Sequence, residues 1–372
     1  MRRLTLSNSN TNKIRRVAIN TGGGDAPGLN AVIRAITLSS IRRGWEVLGV
    51  RKGFGSLMGE EPFIKLDREA VRGIAHLGGT ILGTSNKGIP LNETIKLKGM
   101  KKPMECGDYL VHQLAANGID GFFMLGGDGS LRMATDLKHR GAKVIGVPKT
   151  IDNDLSATHR TFGFDTAVQT ATEAIDKLHS TAQAHERVMV VEVMGRYAGW
   201  IALHAGIAGS CNAILLPEIP FDIDIVCEKF KDRYKTGRNF GIVCVAEGAQ
   251  FKGQKLMFKG PKEKHREQRL GGIGEQVAAE ITRRTGIETR SLVLGHIQRG
   301  GSPSTYDRLL ALRYGAAAVR LAAEGMWGHM IAFTPPTMSY IPLEEATRFT
   351  KKVEVTGDEV LTGRDLGICF GD

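Results

Sequence analysis

The stretch RRVAINTGGGDAPGLNAVIRA, residues 15–35, contains three elements in succession. Residues 15–20 form a short apolar run of strand type, and a helical apolar pattern occupies 28–43. Between them lie three glycines, an acid and a proline, and a fourth glycine opens the helical pattern. A strand, a glycine-rich turn and a helix make up half of a βαβ unit. The glycines have two readings. They permit a tight turn at positive φ, or they let an anion reach backbone N–H groups at a helix N-terminus. The loop lacks G-x-x-x-x-G-K-[ST], so it is no P-loop, and the acid expected of a dinucleotide fold does not follow. By itself the loop leaves both readings open.

The same order repeats outward from it. Further strand candidates are 46–51, 121–126, 143–148, 187–193, 213–217, 240–247 and 289–295. Helical patterns lie near 130–140, 165–184, 197–208, 222–236, 271–285 and 305–323. The strands are continuously apolar rather than alternating, as expected for parallel strands covered on both faces. The expected class is α/β, with two doubly wound, mainly parallel-sheet domains and the active site in the cleft between them. A length of 372 residues is enough for two such domains.

Composition excludes several classes. No apolar run is long enough to span a membrane. Residues 1–13 form a polar tail without the apolar core of a secretory signal; its basic, acid-free character leaves a transit peptide as the minor reading. The five cysteines (Cys106, Cys211, Cys227, Cys244, Cys369) have no C-x-x-C spacing, against a zinc site or disulfide framework, and a reducing cytoplasm is expected. The net charge of +11 is concentrated partly in 252–269, where seven Lys/Arg face two Glu. Without a nucleic-acid motif that run reads as a solvated loop, so neither nucleic acid nor membrane is expected as partner. A positive field would also attract phosphorylated small molecules.

In doubly wound folds ligands bind beyond the carboxyl ends of the strands. Asp25, Asp128, Asp152 with Asp154, the Met194–Gly195–Arg196 run, Glu247, and His296 with Arg299 all fall at such ends. In GGDGS (126–130), Asp128 is suited to Mg²⁺ and Gly129 with Ser130 to phosphates, although Asp128 or Ser130 could equally cap a helix. PKTIDND (148–154) sets two acids two residues apart. That is either an Asx turn or a general base beside a metal-associated acid. Phosphoryl transfer to an alcohol needs a proton acceptor, Mg²⁺ and cations. Arg187, Arg196, Arg290, His296 and Arg299 supply candidates for the last.

GGDAPGLNAVIR, GGDGS, PKTIDND, VVEVMGRYAGW and LGHIQRGGSPSTYDR together resemble the signature segments of the 6-phosphofructokinase family, in the family's order, over about residues 15–325. The resemblance implies phosphoryl transfer from ATP to the C1 hydroxyl of fructose 6-phosphate, with Asp152 as base. Thr150, Ile151, Arg187, Met194, Gly195, Arg196, Glu247, Arg290, His296, Ile297, Gln298 and Arg299 would hold the sugar phosphate. Gly24, Asn86, Lys87, Gly127, Asp128, Gly129 and Ser130 would hold the nucleotide, and Asp128 the Mg²⁺. Residues 14–163 with about 298–345 would form the ATP domain, and 164–297 with the C-terminal extension the sugar-phosphate domain. Arg187 and Arg290 would serve a neighbouring subunit's site, making a homodimer or homotetramer. Gly129 leaves room for the α-phosphate of ATP, where pyrophosphate-using relatives carry Asp; Lys149 matches those relatives. The alternatives are a pyrophosphate-dependent phosphotransferase and, more remotely, a non-catalytic sugar-phosphate-binding subunit.

Overall fold

A computed structural model describes residues 2–3, 14–85, 89–97, 102–254, 258–259 and 269–372. Two main sheets organise them. The larger has eight strands in the order Arg2–Arg3, Thr337–Pro342, His329–Thr334, Val144–Pro148, Gly121–Gly126, Arg16–Thr21, Glu46–Gly49 and Ile64–Leu66. The five from His329–Thr334 to Glu46–Gly49 are parallel, and antiparallel neighbours close both edges. Gly121–Gly126 and Val144–Pro148 are buried at every position, as central strands with covered faces must be. Towards the edge, Glu46–Gly49 alternates buried and half-buried residues.

The second sheet is wholly parallel, in the order Ala213–Leu215, Gly241–Ala246, Val188–Val193, Thr289–Val293. All eight strand patterns read from the sequence are strands here, and all seven helical patterns are helices. The helix expected near 197–208 begins only at Trp200, because Met194–Gly199 is a loop whose Gly195 adopts φ 140. The sequence reading missed the helix Cys106–Ala116 and the hairpin His329–Thr334/Thr337–Pro342.

Helix Leu29–Ile41, which follows the opening glycine loop, packs against Thr305–Ala323 on the large sheet. A Cβ at Gly315 would fall 2.7 Å from Ala35 Cβ, so glycine is what lets the two helices approach. Around the second sheet, helix Phe164–Ala184 buries Ala167, Ala171 and Ile175. Two crossings carry the chain from the large sheet to the second. After Val144–Pro148, Ile151 is fully buried in the core of the second sheet. From helix Leu343–Ala346 on the large sheet, the C-terminal segment crosses back, and Cys369 lies beside Ala213. Among the described residues no helix is long and apolar enough to cross a membrane. All five cysteines are free thiols, and four are buried.

Candidate active site

The glycine loop is shaped by what presses on it. Gly22 N–H donates to Leu125 O at 2.9 Å, continuing the sheet register past Thr21. A Cβ on Gly22 would meet Ser130 Oγ at 2.6 Å, and one on Gly126 would meet Ser130 Cβ at 2.2 Å. Two strand ends and a helix start therefore converge only because both glycines lack side chains. Gly28, at φ 104, begins helix Leu29–Ile41 in a conformation that favours glycine. The bare side of Gly24 faces Arg299, with the Cβ position 2.9 Å from Nη1. Arg299 donates to Asp25 O at 3.2 Å, and Lys149 Nζ donates to Gly24 O. Carbonyls of the loop thus hold two cations from different segments.

The GGDGS segment starts helix Asp128–His139. Its N-cap is Gly127, with no side-chain capping bond, so neither Asp128 nor Ser130 is the cap. The Asp128 carboxylate pairs with Arg132 at 2.8 Å and is about half exposed. The Cβ position at Gly129 has nothing within 4 Å. Open space lies over the first turn of this helix, where partial positive charge and free N–H groups favour anions.

Beyond the strand Val144–Pro148, the PKTIDND segment is braced by its own side chains. Thr150 Oγ accepts from Asp152 N–H at 3.1 Å, and Asn153, at φ 50, accepts from Thr161 N–H at 3.0 Å. Burial, and then the neighbouring Asp152 charge, raise the proton affinity of Asp154. Lys149 is buried and its ammonium is pushed down to about 8, first by desolvation and then by Arg299, against the pull of Asp25, Asp152 and Asp154.

From the second sheet come Met194–Arg196, Glu247 and the 3₁₀ turn Gly295–Arg299. Gly248 N–H donates to Gly195 O at 3.1 Å, which ties the first two loops together. Glu247 is pushed up to about 7 by burial, then by Asp152 and Glu192, while Arg196 and Arg299 oppose the rise. Asp152 therefore acts electrostatically on Asp154, Lys149 and Glu247 at once. Acids and cations from both sheets lie within electrostatic reach of one another.

Other expected residues fall elsewhere. Ile151 and Gln298 are fully buried, so only their backbones can face a ligand. Ile297 is 59% exposed. Arg187 and Arg290 precede or begin their strands, at the opposite end of the sheet from Arg196 and Glu247. Both pair with Glu288, at 3.6 and 2.9 Å. Asn86 and Lys87 lie outside the described residues, as does most of the basic run within 252–269.

The sequence reading also missed three supporting groups. Buried Glu192 accepts from Gly272 and Gly274 N–H at the start of helix Ile273–Thr285. Its signal was a lone acid inside the apolar strand VMVVEV. Glu218 accepts from Gly199 and Val353 N–H, and Lys351 N–H donates to Asp154 O in the PKTIDND loop. Neither carried a local sequence signal.

The chain matches the family model described as phosphofructokinase over residues 16–322. It is similar to an ATP-dependent 6-phosphofructokinase of Chloroflexus aggregans, 49% identical over 97% of this chain and 99% of that one. It is also similar to a pyrophosphate–fructose 6-phosphate 1-phosphotransferase of Streptomyces coelicolor, 45% identical over 96% and 100% of the two chains. Among solved structures, phosphofructokinase from Saccharomyces cerevisiae matches with a TM-score of 0.77 and 29% identity, over 95% of this chain. This chain covers 48% of the yeast one.

Proposed function

The chain belongs to the phosphofructokinase family, and from that premise we infer an active site in which Asp152 is the general base. The protein is a kinase that transfers a phosphoryl group from ATP to fructose 6-phosphate. The observation that carries the assignment is the convergence of loops from both sheets: Arg299 of the second reaches Asp25 O of the first at 3.2 Å, and Asp152, Arg196 and Arg299 all bear on the proton affinity of Glu247.

Asp152 takes the proton from the attacking C1 hydroxyl as its oxygen bonds to the γ-phosphorus and the bond to the departing ADP breaks. Burial and the Asp152 charge shift Asp154 towards its protonated form, which lessens the negative charge beside an anionic donor. Arg196 and Arg299, with Met194, Gly195, Glu247 and His296, bind the sugar phosphate. Thr150 orients the Asp152 loop. Gly24, Gly127, Gly129 and Ser130 leave N–H groups and space for the nucleotide phosphates.

Among the described residues no cluster of three metal-ligating side chains exists. Mg²⁺ does not need one, because it binds through one or two carboxylates, waters and substrate phosphates. The half-exposed Asp128 at the helix start fits that role once it leaves Arg132. Mg²⁺ there would neutralise charge between the donor's phosphates.

Residues 14–163 with about 298–345 are assigned to the nucleotide domain, and 164–297 with the C-terminal extension to the sugar-phosphate domain. Arg187 and Arg290 are assigned to a neighbouring subunit's site in a homodimer or homotetramer. Support comes from the position of Thr289–Val293 at a sheet edge, with Leu292, Val293 and nearby Ile297 exposed. A cytoplasmic location goes with the free thiols and the reaction.

ATP as donor is supported by the open volume at Gly129. Lys149, the feature shared with pyrophosphate-using relatives, is buried beneath the loop on Gly24 O, where it braces the site. Purified protein with fructose 6-phosphate and Mg²⁺, offered ATP and pyrophosphate in parallel, tests this. ATP turnover well above pyrophosphate turnover is expected. The reverse would reassign the donor, and no turnover with either would refute the catalytic reading.

A further inference from the structure

The C-terminal extension crosses the cleft in a short segment, Thr350–Val353. Before it, Leu343 and Ala346 are buried with the large sheet; its last residue, Val353, and Val360 beyond it are buried with the second. On one side the segment grips the loop that carries Asp152. Thr350 pairs with Leu155 in an antiparallel bridge, and Lys351 N–H donates to Asp154 O at 2.7 Å. Lys351 Nζ donates to Thr158 O at 3.1 Å and His159 O at 2.8 Å.

On the other side it grips the junction of the Met194–Gly199 loop with helix Trp200–Ala208. Lys351 O accepts from Trp200 Nε1 at 2.8 Å, and Lys351 Nζ lies 5.7 Å from the centre of the Trp200 ring. Val353 N–H donates to Glu218 Oε1 at 2.9 Å, and the same carboxylate accepts from Gly199 N–H at 3.1 Å. Burial, then the Arg160 charge, lower the Lys351 ammonium to about 8, opposed by Asp154 and Glu359. It therefore remains mostly charged at neutral pH, and its hydrogen bonds are charge-assisted.

One residue thus touches the Asp152 loop and the first residue of the helix that follows the Met194–Gly199 loop, and the two loops follow strands of different sheets. The catalytic loop contributes the base, and the other contributes Arg196. Ile151 seats the start of the Asp152 loop in the second core, and Thr350–Val353 ties the stretch that follows, 154–159, to the same side. We propose that Thr350–Val353 is a strap that holds the Asp152 loop and the Met194–Gly199 loop in register across the cleft, with Lys351 its positioning residue. The proposal rests on the assignment of Asp152 as base.

Hydrogen exchange and steady-state kinetics test it on Lys351→Met, Lys351→Arg and Glu218→Gln. Lys351→Met should speed exchange in the peptide covering 154–160 and also at Gly199, whose amide Lys351 does not contact. Glu218→Gln should speed exchange at 154–160 from the other end, which keeps the test available if Lys351→Met fails to fold. At temperatures well below unfolding, Lys351→Met should lower kcat roughly ten- to hundred-fold, the scale of a misplaced reacting group. KM for fructose 6-phosphate should stay within about three-fold, because removing a strap for the base differs from removing a phosphate ligand. Lys351→Arg should restore most of kcat. Exchange changes confined to the loop each residue touches would overturn the proposal. So would an unchanged kcat beside a lowered melting temperature, which marks a merely structural lysine. A wild type that does not phosphorylate fructose 6-phosphate would sink the functional assignment instead, and the exchange experiment would still decide whether the loops are coupled.

Discussion

Gly129→Asp separates the demands of the fold from those of the donor. A Cβ at Gly129 meets nothing within 4 Å, and the position is the second residue of helix Asp128–His139. Replacing glycine there gains a few tenths of a kcal/mol in helix propensity, and a carboxylate in the first turn gains a further ~0.3–1 kcal/mol from the helix dipole. Repulsion from Asp128 offsets part of this. The melting temperature should therefore be unchanged or slightly raised.

ATP use should behave in the opposite way. A carboxylate about 4 Å from the α-phosphate costs roughly 1 kcal/mol in bulk water and roughly 4 kcal/mol at the effective dielectric of a partly shielded site. With about 1.4 kcal/mol per decade, that spans a roughly five-fold to a roughly thousand-fold loss in kcat/KM. Overlap with the nucleotide places the expectation above about ten-fold. Pyrophosphate need not occupy that volume, so a weak pyrophosphate activity should emerge. The measurements are kcat/KM for each donor at saturating fructose 6-phosphate, beside a thermal melt. An ATP value within three-fold of wild type would refute the steric argument. So would a melting temperature several degrees lower, since the loss would then reflect the fold.

Asp152→Ser should lower turnover by two or more orders of magnitude, the usual size of a general-base contribution, with little change in fructose 6-phosphate binding; near-normal turnover would remove Asp152 from that role. Arg187→Ala and Arg290→Ala should each weaken sugar-phosphate binding by roughly 1.5–3 kcal/mol. Under subunit exchange, an Arg187→Ala and Asp152→Ser mixture should recover activity, and none in demonstrated mixed oligomers would argue against shared sites. Glu247 is held near 7, above its usual 4.5, so folding favours its protonated form. That contribution is complete below pH 4.5 and is lost as pH rises through about 7. Relative to Glu247→Gln, the wild type's urea midpoint should fall across that window, and parallel curves would contradict the burial argument.

Local sequence determined the alternation of strands and helices. Continuous apolar runs such as GFFMLG and glycine-bounded helix starts are properties of neighbouring residues, so each element could be read alone. The strand ends that carry Asp128, Asp152, Arg196, Glu247 and Arg299 were legible for the same reason, because parallel sheets direct their polar ends to one side. The role of Asp128 was not: capping or free carboxylate depends on backbone geometry that only the assembled helix shows.

Tertiary structure decided whatever depends on distant segments meeting. Gly24 is glycine at a point where Arg299 lies against it, 275 positions later in a chain whose folding brings the two together. Lys149 resembles a donor contact by position, yet burial turns it towards Gly24 O. Gln298 reads as a polar loop residue and is buried. Glu218 and Lys351 sit in segments without a motif. They bridge two loops because the C-terminal chain returns across the cleft, a path set by the packing of Val353, Val360 and Phe370 into the second core. Periodicity reports which face of an element is buried; it carries no information about which remote backbone amide a buried carboxylate or ammonium will find.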